Sequence, residues 1–79
     1  MEQRLRQALR ALGFADTEVH LENAGGGKIG GVLVSAQFEG QSQEDRQSHL
    51  WHGLREHLQE EDLIQIVAIM TMTPEEIAA

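Results

Sequence analysis

Between residues 63 and 72 the chain reads LIQIVAIMTM, an almost continuous apolar run whose one polar interruption is Gln65. The run is rich in β-branched residues and falls short of the roughly 18 residues a membrane span needs, so it reads as a β-strand covered on one face and largely shielded on the other. The rest of the chain must supply that cover. With 79 residues, folding buries only roughly 60 to 65% of the unfolded surface, which leaves material for one layer of helices on one sheet. A single domain over residues 1–79 is expected, with an aliphatic core, because the sequence holds two Phe, one Trp and no Tyr.

Periodicity supplies the other elements. Leu5, Ala8, Leu9 and Leu12 recur at helical spacing, and Gly13 followed by Phe14 supplies a stop, so a first helix covers about residues 2–12. TEVHLEN alternates, with Val19 and Leu21 on one face and Glu18, His20 and Glu22 on the other, as a half-buried strand requires. AGGGK breaks the pattern as a hairpin loop, and IGGVLVSAQF forms a second strand whose Gly30 and Gly31 suggest a bulge or a close backbone approach. Ser42 with Asp45 frames the start of a second helix over about residues 43–59. Its inward stripe is Gln47, Leu50, Trp51, Leu54 and Leu58, which leaves Arg46, His49, His52 and Glu56 nearer solvent. After the apolar run, Thr73, Pro74 and Glu76 spell a capping box opening a last helix. The fold class is α+β in the order α-β-β-α-β-α, with a three-stranded mixed sheet and helices mainly on one face.

Composition narrows function. The chain has no cysteine, which removes disulfides, thiolate metal sites and cysteine nucleophiles. A formal charge of −7 opposes nucleic acid overall, so any such site must be local, around bases such as Lys28, Arg46 and Arg55. The N-terminus is charged and periodic, unlike a leader peptide, and the expectation is a soluble cytosolic protein.

His49, His52 and His57 share one helix, but three histidines without a clear fourth ligand read first as a solvated face, so no metal is assigned. Gly27-Lys28-Ile29-Gly30 has the GxxG spacing of KH domains, yet it lies between two strands, where a hairpin loop is the simpler reading. Arg46 in the first turn of a helix opposes the dipole, and either an outside partner or an ion pair with Glu39 or Asp45 would account for it. Trp51 reads as core. The amide of Gln65 has to face the open side of the sheet or bond to the last helix. No serine has an evident base and orienting acid, so no catalytic residue is assigned and enzymatic activity is not expected.

VLVSAQFEG, DRQSHLWHGL and IVAIMTMTPEE together resemble the BolA family, especially its short acid-stress branch, across almost the whole chain. The likeness rests on the second strand with its F-x-G turn, on Arg46 and Trp51 in the second helix, and on the T-P-x-E entry to the last helix. The resemblance implies a fold like type II KH domains. It also implies a small adaptor, or regulator, that partners a monothiol glutaredoxin in iron-sulfur homeostasis, the contact running through Arg46, His49 and Gln65. The alternative it implies is a DNA-binding transcriptional regulator of stress or envelope genes, with Lys28, Arg46 and Arg55 on the nucleic acid. Cluster-bridging members carry a histidine just inside the third strand and a cysteine or histidine in the hairpin loop. Here those places hold Gln65 and ENAGGGK, which offer iron neither imidazole nor thiolate. The chain alone is therefore expected to bind no cofactor, and a 2Fe-2S cluster shared with a glutaredoxin would lack the usual ligands on this side. A monomer or weak homodimer is expected.

Overall fold

In the computed structural model, residues 1–78 are described. They form α1 (Glu2–Ala11), β1 (Val19–Gly25), β2 (Lys28–Val34), α2 (Gln43–His57), α3 (Glu60–Leu63), β3 (Ile66–Met72) and α4 (Pro74–Ala78). Short 3-10 turns at Asp16–Glu18 and Ala36–Phe38 precede β1 and follow β2. The sheet order is β1-β2-β3, antiparallel between β1 and β2 and parallel between β2 and β3. This is the expected α+β arrangement with a mixed sheet.

The chain turns where its residue chemistry directs it. At the end of α1, the Gly13 N–H donates to the Arg10 carbonyl and the Phe14 N–H reaches back to Leu9. Gly13 has φ of 97°. That is the Schellman pattern, closed by the buried Phe14. Gly26 and Gly27, with φ of 60° and 79°, make the two-residue hairpin turn. The Ser42 hydroxyl accepts from the Asp45 N–H at 3.1 Å and starts α2.

Leu5 and Leu9 from α1, Leu50 and Leu54 from α2, and Val19, Ile29, Leu33 and Ile69 from the sheet form one buried cluster, with Phe14 and Phe38 at its end. Each such side chain contributes about 1.5–3 kcal/mol on burial. All of this lies on one face of the sheet. The opposite face holds Val32, Val34, Ala68, Met70 and Met72, in register as Gly30↔Ala68, Val32↔Met70 and Val34↔Met72.

Three expectations need correction. The apolar run is not shielded on its second side: Val67 is 62% and Met70 58% exposed. It is also not all strand, because Gln59–Leu63 wind into α3 and its cap, leaving Ile64 and Gln65 in the turn before β3. The second strand ends at Val34, since the Ser35 hydroxyl accepts from the Gln37 N–H and starts the 3-10 turn.

The close approach expected of the β2 glycines occurs at Gly31, where an added Cβ would lie 2.7 Å from Leu21 Cδ2 and 2.9 Å from the His20 carbonyl oxygen. At Gly30 the nearest atom would be 3.5 Å away. Gly31→Ala should destabilise the chain by about 1–3 kcal/mol in urea titration, as overpacking does, whereas Gly30→Ala should be nearly neutral. Equal effects at the two positions would contradict this register.

Candidate functional site

Gln43, Gln47 and Trp51 lie at i, i+4 and i+8 on α2, and this spacing lines them along the outer edge of β3. The Gln47 amide donates to the Ile69 carbonyl at 2.7 Å, and its oxygen accepts from the Trp51 indole N–H at 3.0 Å. The Gln43 amide donates to the Thr71 carbonyl at 2.9 Å and accepts from the Thr71 hydroxyl at 2.7 Å. Two glutamines thus occupy carbonyls that an added strand would use. An open groove of about 520 Å3 remains between these side chains and β3, reaching Val67 and Met70 on one side and Glu76 at its end. Trp51 is half-buried, packing against the core while lining the groove.

Arg46 is not near solvent, where its place outside the inward stripe of the helix would put it: it is 5% exposed. Its Nε donates to the Gln41 carbonyl at 3.0 Å, and one terminal nitrogen reaches the Thr71 carbonyl at 3.3 Å. Both terminal nitrogens hold the Glu76 carboxylate, at 2.8 and 3.2 Å. The guanidinium carbon lies 5.8 Å from the centre of the Phe38 ring. Its counter-ion is therefore Glu76, not Glu39 or Asp45. Glu76 also accepts from the Thr73 N–H at 2.8 Å, while the Thr73 hydroxyl accepts from the Glu76 N–H at 3.2 Å, the expected capping box. The Arg46 guanidinium, then the Thr73 N–H, hold the Glu76 carboxyl below its ordinary value near 4.5. A second fork joins Arg4 to the buried Asp62 at 2.8 and 3.0 Å, tying α1 to α3 and lowering the Asp62 pKa.

The other residues singled out from the sequence disperse. His49 is exposed on another flank of α2, beside Leu12 and Phe14. Gln65 is half-buried in the turn before β3, where its carbonyl accepts from the Ile29 N–H at 2.9 Å. Arg46, His49 and Gln65 do not line one groove. Lys28 in the hairpin donates to the Ile64 carbonyl at 3.3 Å, and Arg55 is exposed on α2. Arg46, the third base expected to meet nucleic acid, is consumed by Glu76. Arg4, Arg6 and Arg10 are likewise paired with Asp62, Glu2 and Asp16. Among the described residues, four of the six basic side chains thus face carboxylates.

Sequence reasoning missed Gln43 and the exposure of Val67 and Met70 on β3. The spacing of Gln43, Gln47 and Trp51 was a usable signal, since amides repeated every four residues before an indole are well placed to cap a strand edge. Among the described residues no group of three or more His, Cys, Asp or Glu is placed to hold a metal ion. Gln65 and the loop between Asn23 and Lys28 also lack thiolate or imidazole donors, so the residues present there do not fit an iron-sulfur cluster. No described helix is long and apolar enough to cross a membrane. The chain matches no family model, no curated protein and no solved structure.

Two outcomes test the Arg46 assembly. Arg46→Met should cost about 2–3 kcal/mol in chemical denaturation, because the Gln41 carbonyl loses its donor and the stacking on Phe38 is lost. Glu76 ionises more readily in the folded chain, so the unfolded chain binds more protons between the two pKa values, and stability rises with pH across that interval. The contribution is complete above about 4.5, is lost as pH falls through the lower folded value, and is moderated by the 43% exposure of the side chain. Glu76→Gln should flatten the acid limb of the stability profile; an unchanged slope would remove this pair from the account.

Proposed function

We propose that the chain is a non-enzymatic binding adaptor of the BolA kind, with a monothiol glutaredoxin as its partner. Its working surface is the groove beside α2 and the outward face of β3. Support comes from the element order α-β-β-α-β-α, with the one-turn α3 inserted between α2 and β3, from the turn Phe38–Gly40 with Gly40 at φ of 79°, and from the Thr73-Pro74-x-Glu76 cap. The observation that carries the reading is apolar exposure along β3. Val67 and Met70, 62% and 58% exposed, line a groove floored by that strand. Patches of this kind on small monomers mark contact sites.

In this reading Arg46 positions the surface and does not touch the partner. The chain contributes contact area, and any iron-sulfur cluster belongs to the partner, since Gln65 supplies no thiolate or imidazole. DNA binding is the weaker reading, because four of the six bases are already neutralised within the chain.

The test is an NMR titration of the labelled chain with a monothiol glutaredoxin. Shifts should concentrate at Trp51, Val67 and Met70, and Met70→Glu should weaken binding about tenfold by burying an unpaired charge. Absence of shifts, or equal affinity in the variant, would refute the proposal. A parallel titration with duplex DNA at low salt should leave the spectrum unchanged.

A further inference from the structure

The two edges of the sheet are treated differently. On β3, Gln43 and Gln47 occupy the carbonyls of Thr71 and Ile69. On β1, among the described residues, the only side-chain bond to the backbone is from Asn23 Oδ1, which accepts from the Gly25 N–H at 2.9 Å. β1 has no proline or lysine, and its irregularity lies at its far end, between Asn23 and Gly25. Residues 19–23 therefore present a regular, unblocked ladder, which is the template that proteins ordinarily obstruct.

The sequence of that ladder is complementary to itself. On the outward face of the sheet, His20 lies opposite Val32 and Glu22 opposite Gly30, so neither finds a charged cross-strand partner within its own sheet. An antiparallel copy of β1 centred on Leu21 would set Val19 against Asn23, Leu21 against Leu21, and His20 against Glu22 twice. A two-fold axis normal to the sheet keeps each face on its own side, so both His-Glu pairs lie on the outward face. Centring instead on His20 or on Glu22 would put like side chains together, which disfavours those registers. Leu21 is only half-buried, and the Leu21-centred register brings two of them into contact on the helix-bearing face.

We propose that the β1 edge is a homodimerisation site: two copies pair β1 antiparallel about Leu21, joined by reciprocal His20–Glu22 contacts into one six-stranded sheet. This is independent of the partner proposed above, since the groove and the outward faces of both β3 strands remain open in the pair. A ladder over residues 19–23 spans about 17 Å. Five paired residues a side are few beside the roughly 20–30 of stable complexes, so the expected dimer is weak and exchanging.

Sedimentation equilibrium of the full chain up to about 1 mM should show a reversible dimer, with concentration-dependent amide shifts concentrated at residues 19–23. His20→Glu sets carboxylates opposite carboxylates and should weaken association about tenfold. The double exchange His20→Glu with Glu22→His should restore it. Both side chains are exposed, so circular dichroism should report an unchanged fold. A strict monomer at about 1 mM, association indifferent to His20→Glu, failure of the double exchange to restore pairing, or shifts centred on Met70 would each overturn the proposal.

Discussion

A buried guanidinium organises this small fold. Arg46 stands in the first turn of α2, where a cation opposes the helix dipole, and its side chain turns inward instead of out to water. There it meets the carbonyl of Gln41 in the connection before α2, the carbonyl of Thr71 near the end of β3, and the carboxylate of Glu76 in α4. The start of α2 with the connection before it is tied at one point to the end of β3 and to α4, 25 to 30 residues away in sequence, with Phe38 beneath. α4 contributes no buried residue, so its attachment depends on this polar contact and on its cap. Such an arrangement is costly to desolvate and is stable only because its hydrogen bonds are met; no buried side-chain polar atom among the described residues lacks a partner.

The same economy of polar contacts gives the sheet a protected edge. A three-stranded sheet in a chain this short has two unpaired edges and one uncovered face, more exposed backbone and apolar surface than one helical layer can hide. Gln43 and Gln47 close much of the β3 edge from above, and Trp51 is anchored by the second of them. What stays open is side-chain surface: Val67 and Met70 on the outward side, bordered by the groove. This combination, a closed hydrogen-bonding edge beside an open apolar face, suits contact through side chains rather than addition of a strand. It is also why the proposed partner surface lies away from the basic side chains, most of which are spent on internal acids.

Much of this was legible in the residues. Helical spacing from Leu5 to Leu12, the Gly13-Phe14 stop, the Ser42 cap and the Thr73-Pro74-x-Glu76 box are local signals, and each formed as local chemistry dictates. The element order followed from them, apart from the one-turn α3. What escaped was non-local. An arginine reads as surface unless its counter-ion is known, and Glu76 is 30 residues away in sequence. Gln65 read as strand because its neighbours are apolar, but the short acidic turn Glu60–Leu63 takes up the start of that run and leaves Ile64 exposed. The apolar run looked shielded on both sides because periodicity reports hydrophobicity, not cover. The crossover placed the helices mainly on one face, but nothing in the sequence said how far the apolar side chains of β3 on the other face stay uncovered.

The most direct measurement of the central claim is the side-chain NMR spectrum of the arginines at neutral pH. If Arg46 is held as described, its Nε–H signal should stand apart from the others, exchange slowly with water, and show separate terminal N–H resonances from restricted rotation, while exposed Arg55 gives an averaged, fast-exchanging signal. An Arg46 signal that exchanges and averages like that of Arg55 would mean the guanidinium is free, and the account of how α2, β3 and α4 are joined would be wrong.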